Sequence, residues 1–167
     1  ATTVNDDGSL GATIWDLGVE KVNVIAPAPG DDFLYFAGDG TKVATIVGIN
    51  KYDLAGATNL GPFIAGISGY IVTDMLTLID GTIVVLFMAR NNSYRCRLVI
   101  YNSSGTLLNN YLFAPPGQTT CRICHDSSET HVWLWDEIEG PDGSFHLDPT
   151  GSGRNGRFQK INLATGV

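Results

Sequence analysis

The sequence predicts an all-β chain, and three observations carry that prediction. Val, Ile, Thr, Tyr, Phe and Trp cluster in short runs, as suits pleated, half-buried surfaces. Turn formers recur between the runs: Asn5-Asp6-Asp7-Gly8, Pro29-Gly30-Asp31, Gly38-Asp39-Gly40, Ser103-Ser104-Gly105 and Pro141-Asp142-Gly143. No window keeps the 3.6-residue apolar period of an amphipathic helix.

Composition narrows the class further. The chain has 167 residues, 44% of them hydrophobic and only 16% charged, which excludes a disordered chain and a coiled coil. Ten Lys and Arg against 17 Asp and Glu give a net charge of −7, so nucleic acid is not an expected partner. The longest apolar run, Ile83–Ala89, has seven residues. A membrane helix needs roughly 20, so no membrane span is expected. With Ala1 first and no basic-then-apolar opening, the sequence reads as a trimmed, processed or excerpted form with no signal peptide at its start.

Taken in order, residues 10–16 form a strand after the turn at Gly8. Residues 22–36 hold two strands around Pro29-Gly30, a third strand ends at Tyr52-Asp53, and a fourth covers 61–67. Residues 75–87 hold two strands around Asp80-Gly81. Asp-Gly between apolar runs signals a hairpin, because both residues tolerate positive φ. The next third strand ends at Tyr101-Asn102, and Leu107–Phe113 is its fourth. Residues 121–135 hold two more strands, and 157–163 the last third strand.

Two elements repeat. A β-residue followed by Asn or Asp, spacers and Gly occurs at Val4-Asn5, Tyr52-Asp53, Tyr101-Asn102 and Ile161-Asn162, with steps of 48, 49 and 60 residues. An apolar strand, a polar turn and a strand ending in an aromatic occurs at 22–36, 75–87 and 121–135, with steps of 51 and 48 residues between the aromatics. The long step reflects an insertion at 136–156, rich in Gly, Pro and Asp, which reads as a surface loop.

Four strands at a period near 50 residues resemble a β-propeller blade, whose repeat is roughly 40–50 residues. The resemblance spans nearly the whole chain and points to no particular propeller family. It implies one propeller-like unit: a closing strand in 1–20, blades at 21–68 and 69–117, and a blade with the insertion loop at 118–167. A β-sandwich or jelly roll is the alternative arrangement. Propellers have roughly 4–8 blades, so about three need help to close. A protein partner or a second copy supplying the missing strand is therefore expected, as is a chain that is part of a longer propeller.

Cys121-Arg122-Ile123-Cys124-His125 matches the c-type haem attachment pattern. There, two thiols join the haem vinyl groups and the His ligates iron. The second axial ligand would come from His131, His146, Met75 or Met88. An alternating strand, however, sends residues 121 and 124 to opposite faces, and small core cysteines are the plainer reading. A Cys96–Cys121 or Cys96–Cys124 bridge, or a zinc site of Cys121, Cys124, His125 and His131, are further readings. Asp136, Glu139 and Asp142 in the insertion offer oxygen ligands for Ca²⁺, without the EF-hand spacing. Asn91 and Asn102 fit the N-glycosylation pattern. Trp133 and Trp135 share a strand face and are expected to line an inter-blade core, with a carbohydrate ligand as the alternative use. Arg90, Arg95 and Arg97 form a small cationic cluster.

No Ser–His–Asp or nucleophile-elbow pattern appears. The expected function is therefore a non-catalytic binding or structural module of an extracellular, virion or surface assembly. The alternatives are a haem c electron-transfer protein and a fragment of a propeller hydrolase.

Overall fold

A computed structural model describes residues 2–4, 10–13, 22–30, 32–38, 48–89, 96–113, 119–139, 145–146 and 158–166, with side chains at 22–30, 32–38, 48–89, 96–112, 122–134 and 159–166. The described residues form strands and turns and no helix. The strands are β1 (Thr2–Val4), β2 (Leu10–Thr13), β3 (Val22–Pro27), β4 (Phe33–Gly38), β5 (Ile49–Asp53), β6 (Thr58–Ile64) and β7 (Tyr70–Thr77). They continue as β8 (Ile83–Ala89), β9 (Cys96–Tyr101), β10 (Leu107–Phe113), β11 (Thr119–His125), β12 (His131–Glu139), β13 (Phe145–His146) and β14 (Phe158–Asn162).

Three antiparallel sheets follow one another along the chain. The first has the order β3-β4-β5-β6, the second β7-β8-β9-β10, and in the third β12 pairs with β11, β13 and β14. β1 and β2 form a separate hairpin. In the first two sheets each strand pairs with the next one in the chain, a meander.

Alternation along the strands decides how the sheets stack. In β8, Ile83, Val85 and Phe87 join one core cluster with Val24, Tyr35 and Ile49 of the first sheet. Val84 and Leu86 join another with Ile123, Val132, Leu134 and Ile161 of the third. All five of these β8 side chains are buried, so β8 is dry on both faces. A continuous apolar run is what a strand covered on both sides requires. Tyr52, Tyr101 and Ile161, the residues before the repeated Asn or Asp, are all buried. Tyr101 faces the first sheet and Ile161 the second, so the equivalent positions point the same way round.

The first strands lie side by side, β3 against β7 and β7 against β11. Hydrogen bonds stitch them at the spacing of the repeat. The Thr77 hydroxyl donates to the Pro27 carbonyl, 50 residues away. Arg122 Nη1 donates to the Thr73 carbonyl at 2.5 Å, and Ile123 N–H to Asp74 Oδ2 at 2.8 Å, both 49 residues away.

The turns show what the repeated motif does. Asp53 Oδ1 accepts the Gly56 N–H at 3.0 Å. Asn102 Oδ1 accepts the N–H groups of Ser104 and Thr106 at 3.1 and 2.9 Å. Asn162 Oδ1 accepts those of Ala164 and Thr165 at 2.9 and 3.1 Å. A short side-chain oxygen that caps the turn explains why only Asn or Asp recurs there.

The Asp80-Gly81 hairpin forms, but its geometry differs from the expected one. Gly81 has φ of 84° and Asp80 is not among the residues with positive φ. Gly81 N–H donates to Leu78 O and Leu78 N–H to Thr82 O, while the Asp80 carboxylate accepts the Thr82 N–H. The reason is a longer turn in which Gly alone takes the left-handed place.

Candidate functional site

The Cys-x-x-Cys-His segment lies within β11. The β11–β12 ladder runs without a register shift from Thr119 to His125, so the motif is extended strand. Ile123 is buried against the second sheet, whereas Cys124 is exposed and pairs with Trp133 on the opposite face. Trp133 is 36% exposed, and Lys160 Nζ lies 5.6 Å from its ring centroid. Val132 and Leu134, not Trp133, fill the core with the second sheet. Trp133 is therefore absent from both described inter-sheet cores, contrary to expectation. The alternation of β12 turns it away from the second sheet.

The cysteines fall in different surroundings. Cys96 is buried on β9 and Cys124 is an exposed free thiol on β11 of the next sheet, so the Cys96–Cys124 bridge is not formed. Cys121 lies on β11, and its side chain is outside the described residues.

Beside the motif sits a chain of hydrogen bonds. Asn162 Oδ1 is occupied by two turn N–H groups, so its Nδ2 faces His131 Nε2, 3.3 Å away, and that ring nitrogen accepts. His131 Nδ1 is left as the donor to Thr130 Oγ1 at 2.9 Å. Thr130 Oγ1 lies 2.7 Å from Ser128 Oγ, which donates to Asp126 Oδ1 at 2.8 Å. Lys160 Nζ reaches Asp126 Oδ2 at 3.1 Å. The Ser128 hydroxyl, helped by Lys160, holds the Asp126 carboxyl at about 2, below its usual value.

This order is not that of a catalytic triad. A triad His faces the nucleophile with one nitrogen and the carboxylate with the other; here one nitrogen is held by Asn162. The network fixes the turn at the end of the third sheet. Glu129 in that turn has φ of 54°, in the left-handed place that Gly81 and Gly105 take in the second sheet. Its carboxylate accepts the Ile79 N–H at 2.8 Å, which ties this turn to the second sheet. His125 Nδ1 lies 2.9 Å from the Asp126 carbonyl.

The other sequence candidates scatter. Met75 is buried in the core between the first two sheets, and Met88 packs against the other core. His146 lies on β13, its side chain outside the described residues. Asp136 and Glu139 lie on β12 with undescribed side chains, and Asp142 lies outside the described residues. Trp135 has an undescribed side chain, while Asn91, Arg90 and Arg95 fall outside the described residues. Arg97 stacks over the Tyr70 ring at 5.1 Å and donates to Asn110. Among the described residues, no group of three His, Cys, Asp or Glu is placed to hold a metal ion. No helix of the described residues is long and apolar enough to cross a membrane.

One arrangement had no signal in the sequence. Lys51 Nζ sits 3.7 Å from the Phe33 ring centroid, 5.2 Å from that of Phe63 and 5.9 Å from that of Tyr35. Strand pairing assembles this cage: Tyr35 is directly across from Lys51, and an ammonium over ring faces is attracted by their quadrupoles.

No protein-family model matches the chain, and no curated protein matches it. Solved structures do. A protein of Bacteroides caccae shares 13% identity at a TM-score of 0.53, over 97% of this chain and 64% of that one. The calcium-binding protein regucalcin of Agrobacterium tumefaciens shares 18% at 0.51, over 85% of this chain and 45% of that one. A chain of a nidogen/laminin complex shares 14% at 0.53, over 97% and 59%. This chain thus spans less than two thirds of each. Such identities establish fold alone, and the structural neighbours are β-propeller proteins. The three sheets are β-propeller blades, stacked face to face and repeated at about 50 residues.

Proposed function

We propose that the chain is a non-catalytic binding or structural module, a run of propeller blades that works within a larger ring of an extracellular, virion or surface assembly. The observation that carries this reading is β8 of the second sheet, buried on both faces between two cores. A blade is stable when neighbours cover both faces, and three blades fall short of the roughly 4–8 of a ring. The third blade instead presents Cys124, Trp133 and Lys160 on its far face. The partner is protein, as in the nidogen/laminin complex among the neighbours. Its binding elements are the connections at one end of the ring, among them the 136–156 insertion, which is not all loop as expected: 136–139 continue β12 and 145–146 form β13, paired with it. The binding role itself rests on analogy with other propellers.

The absorption spectrum tests this reading against haem c. Expressed with haem-maturation machinery, the chain is expected to show protein absorbance only, because the motif lies in extended strand. A covalent haem spectrum with a Soret band, abolished by Cys124→Ser, would overturn the module reading and assign Cys121, Cys124 and His125 to the cofactor.

A further inference from the structure

The outer strand of the second blade carries an apolar edge that its counterpart in the first blade lacks. β10 pairs with β9 and, among the described residues, with no other strand. Leu107, Leu108 and Leu112 are each more than half exposed. The strand has seven residues, with no charge and no Pro. Such an edge is a template for a further strand, and proteins commonly blunt it. β6, the outer strand of the first blade, is blunted: Pro62 has no N–H to donate, Gly61 takes φ of 85°, and the β5–β6 ladder shifts register twice. The ladder of β10 on β9 has no shift from Asn109 to Phe113. One face of that stretch is committed within the chain, where Asn109 Nδ2 and the Tyr111 hydroxyl donate to the Leu163 carbonyl at 3.2 and 3.0 Å. The other, with Asn110 and Leu112, is open to solvent.

The sequence of β10 says which strand fits there. Outward from Asn110 it reads alike in both directions: Leu108 answers Leu112, and Leu107 answers Phe113. An antiparallel pair reverses one strand, so two copies of β10 centred on Asn110 set leucine against leucine and Asn110 against Asn110. Charge agrees. The chain carries −7 and repels its own copy at long range. No Asp, Glu, Lys or Arg occurs from Leu98 to Cys121, so two copies meeting at β10 oppose no like charges there.

We propose that β10 is a self-pairing edge, on which β10 of a second copy docks antiparallel about a twofold axis at Asn110. The two four-stranded second sheets then run on as one, with Leu112 opposite the partner's Leu108. The contact uses the mode by which extended strands add to open edges. It lies on the perimeter of the blade, apart from the connections that the module reading assigns to binding. It opens by separation of the copies, with no blade unfolded.

Cross-linking reads the register. In a Cys121→Ser/Cys124→Ser background, Asn110→Cys is expected to give a disulfide-linked dimer under mild oxidation, since directly opposed positions are within disulfide reach. Leu108→Cys and Leu112→Cys are each expected to give none alone, because each lies far along the strand from its own copy, and to link when the two chains are mixed. Adding Leu112→Glu to Asn110→Cys is expected to leave the circular dichroism spectrum unchanged and to abolish the link. No link through position 110, equal linking through 108 or 112 alone, or a link that survives Leu112→Glu would each overturn the self-pairing. In the first case the edge is left to a strand of another protein.

Discussion

Phe87→Ala is expected to lower the free energy of unfolding by about 3–5 kcal/mol. Phe87 is 1% exposed, on the second strand of the second sheet, and packs into the core shared with the first sheet. Its removal takes a whole ring from between two blades, and the flanking strands cannot collapse into the space without separating from their own neighbours. Trp133→Ala is the matched control. Trp133 is also aromatic and also on the second strand of its sheet, yet 36% exposed on the far face of the third. Its loss is expected to cost less than about 1 kcal/mol in the isolated chain. Urea unfolding of both variants reads the difference. Equal losses would contradict the stacking order of the blades.

Gly48→Ala is expected to cost at least the upper end of the roughly 1–3 kcal/mol typical of overpacking. A Cβ on Gly48 would stand 2.2 Å from the Ile64 carbonyl oxygen and 2.9 Å from the Gly66 nitrogen. Both are backbone atoms, so no side-chain rotation relieves the contact, and β5 and β6 must part where Ile49 pairs with Ile64. Both isoleucines belong to the core between the first two sheets, so the displacement reaches that core. Thermal unfolding measures it. A melting temperature unchanged from the parent would show that the strands yield there without loss.

The repeat was legible because its markers are forced by local chemistry. A turn capped by its own side chain needs Asn or Asp, so Asp53, Asn102 and Asn162 stand out in the sequence. The run at Ile83–Ala89 was legible as buried, because a strand dry on both faces has no polar residues to alternate. Contacts between blades were not legible. Asp74 accepts the Ile123 N–H across the junction of β7 and β11, at 2.8 Å, and nothing local to Asp74 announces a donor 49 residues away. The Lys51 cage needs three strands brought together. The strand face that Trp133 shares with Trp135 predicts a core position for it, but which face meets the second sheet is set by register, and Val132 and Leu134 hold that face. Glu129 occupies a place expected of Gly because its carboxylate binds the neighbouring turn.

Native-state hydrogen exchange tests the stacking of the blades most directly. The amides of β8, whose side chains are buried against the first sheet on one face and the third on the other, are expected to exchange last, and those of β10, whose side chains are mostly exposed, far earlier. Exchange of β8 as fast as that of β10 would contradict the stacking of the three sheets.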